Sequence, residues 1–282
     1  MLAFVTSLRH PQNSADYRTV EALLERTLAS VCAQTDRDFV VIVVGNRAPT
    51  FTLPPQTLFV EVDFPAPAPP SGPMTPRDTF VWDKGTKIGI GLIAASRFAP
   101  SHAMIFDADD FVSRRLSAFV SEGPPAQGWY VDTGWAYSRS RNAYQEQKNF
   151  HRACGTSLIV PFDAYDVPSA LTTGASQAEV SSGFGDHLPN VLGAHRDAVN
   201  WFTKKGVSMK PLPFPGAVYH VDTGENHSGK SMQGRANPID SHFTEEFAVT
   251  GDRSAIATWW SARGPRAQAE SAARLVRRTI RK

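Results

Sequence analysis

Three carboxylates lie within four positions of the sequence, at Asp107, Asp109 and Asp110. The apolar run 103–106 leads directly into them, as a buried parallel strand would. Carboxylates this close repel one another unless a cation or hydrogen-bond donors offset their charge, and hard divalent cations take oxygen ligands. The alternative is an Asp-rich turn in which Asp110 caps a following helix and no ligand binds. The local sequence favours the cation site.

The elements that must position this cluster alternate between strands and helices. Apolar patterning predicts strands over 2–8, 39–44, 57–63 and 103–106, and helices over 16–34 and 83–98. Strand, helix and strand at this spacing indicate a right-handed crossover unit. The fold class expected is therefore α/β, a doubly wound, mainly parallel sheet with helices on both faces. In such a sheet, ligands bind at the C-terminal ends of the strands, where the acidic cluster falls.

The second half of the chain is less regular. Strands are expected over 128–132, 156–160 and 217–221, a loop over 163–185, and a helix from residue 186 or 189 to 205. A basic helix should follow over 266–282. No internal repeat or clean linker divides the chain, so we expect one domain over 1–262 with 263–282 as a basic appendage.

Composition excludes several classes of protein. A formal net charge of +2 gives no reason to expect nucleic-acid binding, and no stretch approaches the ~18 apolar residues of a membrane span. The first residues lack the basic region of a signal peptide, and the two cysteines, Cys32 and Cys154, fit packed thiols in a reducing cytoplasm.

The segment 263–282 contains seven basic residues and one acid, Glu270. Such a segment could make peripheral contact with an anionic membrane. A solvated end or an oligomer contact is the favoured alternative.

Three segments in the first 115 residues carry a resemblance to a known family. They are the run 28–35 leading through Asp38 and Phe39 to Asn46, the run 83–87 (Asp-Lys-Gly-Thr-Lys), and the run 106–110 (Phe-Asp-Ala-Asp-Asp). In this order, they make the chain resemble a GT-A type, family-2-like nucleotide-sugar glycosyltransferase. The run 226–229 (Asn-His-Ser-Gly) more loosely resembles bacterial rhamnosyltransferase-like proteins, with no sugar identity implied.

The resemblance implies a GT-A fold with a nucleotide-binding half over 1–115 and an acceptor half over 116–262. It also assigns Asp109 to a Mn²⁺ or Mg²⁺ ion and Asp107 to the nucleotide or to the ion's surroundings. Such an ion acts as a Lewis acid and neutralises charge on the departing nucleoside diphosphate. His220 is the candidate third ligand, since imidazole also suits Mn²⁺. A packed histidine is the equal alternative, and His227 is the second choice.

Further residues are candidates for holding the nucleotide-sugar donor. The resemblance assigns Asp63 to an N–H of the base, although it could simply end a strand. Lys84 and Lys87 could meet the donor phosphates as point charges, with Lys87 favoured over a solvated surface lysine. Thr6 and Arg9 end the first strand and are expected to line the nucleotide pocket.

The reaction implied is transfer of a sugar to an acceptor hydroxyl with inversion, which needs a general base. Asp186 at an expected helix start is the candidate, because a helix N-terminus favours an ionised carboxylate; the alternative is a helix cap. Trp135 is the candidate for stacking on the acceptor, which the sequence leaves unnamed as a glycan, a lipid-linked sugar or a small molecule. One alternative is a nucleotidyltransferase, although this sequence lacks the glycine-rich loop that usually follows the first strand in that class. The other is a non-catalytic sugar- or nucleotide-binding protein.

Overall fold

The computed structural model describes residues 1–68, 78–224, 231–251 and 254–280. Its strands are β1 (Leu2–Ser7), β2 (Phe39–Gly45), β3 (Thr57–Glu61), β4 (His102–Ile105), β5 (Phe111–Val112), β6 (Gln127–Tyr130), β7 (Thr133–Ser138), β8 (Ala143–Lys148), β9 (Leu158–Pro161), β10 (Ser208–Pro211), β11 (Ala217–Val221) and β12 (Asn237–Pro238). Its α-helices are α1 (Tyr17–Val31), α2 (Asp78–Ser96), α3 (Leu116–Glu122), α4 (Phe150–Ala153), α5 (Gln177–Phe184), α6 (Ala198–Lys204), α7 (Ser241–Phe247), α8 (Ala255–Arg263) and α9 (Pro265–Ile280).

The central sheet has seven strands in the order β10-β6-β9-β4-β1-β2-β3. Four of its six neighbouring pairs are parallel, and β9 runs antiparallel to both of its neighbours. The architecture is thus mixed α/β with a mostly parallel central sheet, as predicted at that level. The narrower GT-A assignment stays a prediction.

Helices cover both faces of this sheet because neighbouring residues of β1 point to opposite sides. Phe4 belongs to the core that contains Leu24 and Leu28 of α1, and Val5 belongs to the core that contains Ile88 and Leu92 of α2. Helix α2 lies very close to the sheet: a Cβ at Gly91 would come within 2.4 Å of Val5 Cγ1. This close contact sets the distance between α2 and the C-terminal half of β1.

A second sheet of five strands, in the order β12-β8-β7-β11-β5, was not predicted. Strand β5 directly follows Asp110 and pairs antiparallel with β11, while β11 also pairs in parallel with β7. This sheet brings the segment around His220 against the acidic cluster, which no local sequence pattern indicated.

Several predicted elements need correction. The expected loop over 163–185 contains α5, which begins with a capping box between Ser176 and Glu179. The expected helix up to residue 205 is instead a π-helical turn, Leu188–Leu192, followed by α6 after a break. Asp110 caps no helix, because the chain enters β5 at the next residue.

The C-terminal segment forms a pair of helices, α8 and α9, joined at Gly264. The predicted helix over 266–282 is confirmed from residue 265 to residue 280. Helix α9 contacts the body of the protein: the backbone N–H of Gly234 donates to Glu270 Oε2 (2.8 Å), and that of Arg235 donates to Ser271 Oγ (2.8 Å). Among the described helices, none combines the length and hydropathy needed to cross a bilayer.

Candidate functional site

The acidic cluster forms a turn at the C-terminal end of β4. Phe106 extends the pairing with β1, since its N–H donates to the Val5 carbonyl (3.0 Å). The N–H of Asp110 then donates to the Asp107 carbonyl (3.1 Å) and closes the turn before β5 begins. The three carboxylates therefore lie at the edge of the sheet that the sequence predicted, although their surroundings differ greatly.

Asp107 is ion-paired with Lys84 from the first half of α2. Its backbone N–H donates to Thr156 Oγ1 (2.9 Å). Burial raises the pKa of Asp107, but the charge and hydrogen bond of Lys84, with smaller contributions from His195 and the backbone of Gly155, together leave the pKa below its ordinary value. Lys84, rather than the favoured Lys87, is thus the lysine that reaches the acidic cluster.

Asp110 is completely buried and joins three segments of the chain. Its Oδ2 accepts from Thr156 Oγ1 (2.6 Å) and Cys154 Sγ (2.9 Å), and its Oδ1 accepts from the backbone N–H of His220 (3.0 Å). Burial and the charges of Asp109 and Asp107 raise its pKa well above the ordinary value, which favours the neutral acid. Asp110 therefore holds the turn in place rather than presenting a charge.

Asp109, like Asp107, is half-buried, but no basic side chain pairs with its carboxylate among the hydrogen bonds and ion pairs described for it. Thr223 Oγ1 donates to its Oδ2 at the long distance of 3.3 Å. Burial, together with the nearby Asp107 charge, raises the pKa of Asp109 to about 7. A cation beside Asp109 would offset this repulsion.

His220 lies in β11 and contacts the rings of Phe111 and Tyr137, with centroids 5.4 and 5.1 Å away. Its Nδ1 is 3.2 Å from the Asp109 carbonyl oxygen. A carbonyl only accepts, so Nδ1 carries the proton and Nε2 keeps its lone pair. Burial lowers the pKa of His220 to about 4, which keeps the ring neutral. This is the arrangement that ligating histidines commonly adopt.

The residues next to the turn decide which ion would fit. Asp107, Asp110 and Cys154 bring ligand atoms within 4.8 Å of one another. However, Lys84 already neutralises Asp107, Asp110 takes three donors, and burial raises the pKa of the Cys154 thiol well above its ordinary value. A protonated thiol is a poor ligand for a hard cation. Asp109 and His220 do not form such a group with Asp107 within the described part of the chain, so the assignment of Mn²⁺ or Mg²⁺ to Asp109 stays a prediction.

A polar cluster lies at the C-terminal end of β1. Lys87 is completely buried and donates to Asp83 Oδ2 (2.9 Å) and the Leu8 carbonyl (3.1 Å). Lys87 therefore holds the start of the loop that follows β1. Its ammonium is not at the surface, contrary to the prediction that it meets the donor phosphates. Asp83 Oδ1 and Thr6 Oγ1 are buried and accept or donate no hydrogen bond within the described residues. Asp83 is a polar residue of this edge that the sequence analysis did not single out.

The other predicted donor residues lie around the same edge. Arg9 is half-buried just after β1, and Asp63 is exposed just after β3. Asn46 Nδ2 donates to the carbonyls on either side of Asp63, those of Val62 (3.0 Å) and Phe64 (2.8 Å). Asp63 is thereby held at the rim of the sheet, and its role in binding the base stays a prediction.

Asp186 lies between two short helical elements. It follows Gly185, the residue that ends α5, and precedes the helical segment that begins at His187 and continues as the π-helical turn Leu188–Leu192. Its side chain is exposed, and its backbone carbonyl accepts from Asn190 Nδ2 (2.7 Å). The predicted position next to a helix start thus holds only for this short turn, and the catalytic role of Asp186 stays a prediction.

His195 is the residue of this region that the structure brings close to Asp107. Its charge contributes to lowering the pKa of Asp107, and it lines a small cavity of about 20 Å³ with Lys84 and Gly155. No sequence spacing connects these positions. They meet because the π-helical turn and the break before α6 carry the chain back to the sheet edge.

An open cleft of about 420 Å³ lies on the other side of the turn. It is lined by residues of α1, of the β7–β8 turn and of the end of β11, including Thr19, Arg26, Arg139, His220, Asp222 and Thr223. Trp135, the predicted acceptor residue, instead lies half-buried in β7, with its ring 5.0 Å from that of Tyr144 at 84°. It does not line the cleft. His227 lies outside the described residues.

No protein-family model matches the sequence, and no curated protein matches it. Among solved structures, the chain is similar to S. aureus TarS, a GT-A-like glycosyltransferase, with a TM-score of 0.37 and 11% sequence identity. The match covers 78% of this chain and 36% of TarS. A similarity this loose identifies neither the fold family nor the activity, so the functional proposal rests on the residues of the site.

Proposed function

We propose that this protein is a metal-dependent glycosyltransferase that moves a sugar from a nucleotide-diphosphate donor to an acceptor hydroxyl, with inversion. The observation that carries the proposal is the half-buried Asp109 carboxylate, whose pKa is raised to about 7, beside the Asp107–Lys84 ion pair. Both lie at the C-terminal edge of parallel strands, where α/β proteins bind ligands.

Asp109 would hold Mn²⁺ or Mg²⁺. Asp107 and His220 would join it as ligands only after a local rearrangement, because Asp107 is paired with Lys84 and the ligand atoms of the three side chains do not all lie within 4.8 Å of one another. The ion would supply charge neutralisation for the departing nucleoside diphosphate. The raised pKa of Asp109 means that ion binding displaces a proton near neutral pH. Affinity for the ion should therefore increase as the pH rises through 7.

The remaining donor contacts are proposed from charge and position. Lys84 is half-buried, and its ammonium can be shared between Asp107 and a phosphate oxygen. Thr6, Arg9 and Asp63 border the strand ends where the nucleoside would lie. The 420 Å³ cleft gives access to His220 and Thr223, both of which contact Asp109.

Two residues are candidates for the general base that takes the acceptor proton. Asp186 is the one that the family resemblance implies, and His195 is the one that lies close to Asp107. The two candidates can be distinguished by measuring the turnover of Asp186→Asn and of His195→Gln. The base is the residue whose replacement lowers kcat by about 10²-fold or more while nucleotide affinity is retained.

The proposal is tested by calorimetric titration of UDP, GDP and dTDP with and without Mn²⁺. We expect one nucleotide to bind in a metal-dependent way, and Asp109→Ala to remove that dependence. The matched control is Asp36→Ala, because Asp36 precedes the N-terminal end of β2, and the acidic cluster follows the C-terminal end of β4. Absence of binding by all three nucleotides would refute the donor class, and metal-dependent binding that survives in Asp109→Ala would refute the assigned ligand.

Gly155→Ala should weaken nucleotide binding without unfolding the protein. A Cβ at this position would lie 2.7 Å from Asp107 Oδ2 and 3.2 Å from Asp107 Cγ, so the carboxylate must shift from the position in which it pairs with Lys84. We expect an affinity loss of about 10-fold, or ~1.4 kcal/mol, in the same titration. Gly174→Ala is the control because its Cβ would meet nothing closer than Thr172 Oγ1 at 3.8 Å. Equal affinities for the two variants would show that the Asp107 position is unimportant.

A further inference from the structure

Helix α8 turns its apolar side outward. Its inward residues are Thr258 and Ala262, four positions apart: Asn142 Nδ2 donates to Thr258 Oγ1 (2.8 Å), and the N–H of Ala236 donates to the Ala262 carbonyl (2.9 Å). The opposite side carries Ile256, Trp259 and Trp260, which are 74%, 48% and 56% exposed. These three residues are called the outer face of α8.

This pattern is the reverse of an ordinary surface helix, which buries its large apolar side chains. Spacings of three and four residues place Ile256, Trp259 and Trp260 on one side of the helix. The two indole rings contact each other edge to face, with centroids 5.5 Å apart. A contiguous exposed group of such side chains marks a binding surface.

The charges next to the outer face are positive. Arg263 follows on the same side of α8, three residues after Trp260, and is exposed. The Arg266 side chain is 94% exposed at the start of α9. Glu270 accepts from Arg266 Nε (3.1 Å) and from the backbone N–H of Gly234 (2.8 Å). It therefore offsets one of the two arginine charges and leaves a net positive charge beside the outer face. Trp260 packs over the joint between the helices, since a Cβ at Gly264 would lie 3.0 Å from Trp260 Cε3.

We propose that the outer face of α8, with Arg263 and Arg266, docks the protein on an anionic phospholipid bilayer. Tryptophan prefers the boundary between headgroups and acyl chains, and arginine binds phosphate oxygens with paired N–H groups. Apolar residues bordered by basic ones are the pattern of interfacial helices. A symmetric dimer through the same face fits less well, because it would bring the arginines of the two copies together. The proposal is independent of the transferase activity.

The test is co-sedimentation with two kinds of vesicle. One contains phosphatidylcholine alone, and in the other about one lipid in three is the anionic phosphatidylglycerol. We expect binding to the anionic vesicles at least 10-fold stronger than to the neutral ones. The double variant Trp259→Ala/Trp260→Ala should lose at least 10-fold of that binding. Arg263→Gln/Arg266→Gln should lose the preference for anionic lipid and the sensitivity to salt.

Trp82→Ala is the control, because Trp82 is another exposed tryptophan but lies in α2. It should bind vesicles as the unmodified chain does. Far-ultraviolet circular dichroism checks that the double variants remain folded, as expected for exposed positions. The proposal is overturned if neither vesicle binds the protein, or if the tryptophan double variant binds as well as Trp82→Ala. It is also overturned if analytical ultracentrifugation shows a dimer that Trp259→Ala/Trp260→Ala abolishes while vesicle binding is absent.

Discussion

Asp109→Asn is expected to raise the thermal midpoint of the metal-free protein at pH 8 while it abolishes transferase turnover. The pKa of Asp109 rises from an ordinary value of 3.8 to about 7 in the folded protein. The folded state therefore binds this proton more tightly than the unfolded chain, and ionisation costs stability. The cost is absent below about pH 4, grows up to about pH 7 and is complete above it. Asparagine removes the charge and hence the cost.

The size of this effect follows from the shift. Three pKa units correspond to about 4 kcal/mol, which we reduce to about 1–2 kcal/mol because Asp109 is only half-buried and water screens its charge. The midpoint should rise by about 2–8 °C at pH 8 and by less at pH 5. Differential scanning calorimetry at the two pH values measures the difference, with Asp36→Asn, at a half-buried carboxylate before the N-terminal end of β2, as the control.

Mn²⁺ provides the second measurement on the same variant. An ion that binds only the folded protein raises the midpoint, so Mn²⁺ should stabilise the unmodified chain at pH 8 and leave Asp109→Asn unaffected. An equal response of both proteins to Mn²⁺, or a loss of stability in Asp109→Asn at pH 8, would contradict the role given to Asp109.

Asp110→Ala should be the most destabilising single change at the site. It leaves three donors without their acceptor: Thr156 Oγ1, Cys154 Sγ and the N–H of His220. Unpaired buried donors cost about 1–3 kcal/mol each, and some will find new partners, so we expect a total loss of about 3–5 kcal/mol. Urea denaturation should show this as a lower midpoint.

Asp110→Asn separates hydrogen bonding from charge at the same position. The pKa of Asp110 is raised well above its ordinary value by burial and by its acidic neighbours, which favours the neutral acid. An amide can replace it when its oxygen accepts from the N–H of His220 and the Thr156 hydroxyl and Cys154 thiol rotate to accept from its nitrogen. We expect asparagine to cost less than about 1 kcal/mol. If Asp110→Asn were as destabilising as Asp110→Ala, the carboxylate charge, and not its acceptors, would hold the turn.

The sequence predicted the elements that have strong local patterns. Strand β2 is an unbroken β-branched run, and α1 repeats its apolar residues every three or four positions, so both were found. The α5 helix was missed although Ser176 and Glu179 form a capping box before Val180 and Phe184. That signal was readable, but the surrounding glycine, serine and proline residues outweighed it.

The candidate site was predictable only where one segment forms it. The position of the Asp107–Asp110 turn followed from the strand before it. The partners of the three carboxylates did not follow, because Lys84, Thr156 and His220 come from distant segments whose approach depends on the second sheet and on α2. The burial of Lys87 was likewise invisible, since a lysine in a helix is usually at the surface.

The hydrogen bonds of Asp110 also determine when the site can exist during folding. They connect it to residues 44, 46 and 110 positions further along the chain, and contacts across such long loops form after local ones. Residues 1–115 contain the whole acidic motif but only β5 of the five strands of the second sheet. The division into a nucleotide-binding half and an acceptor half therefore does not describe two independent folding units: the first half obtains its working geometry from the second.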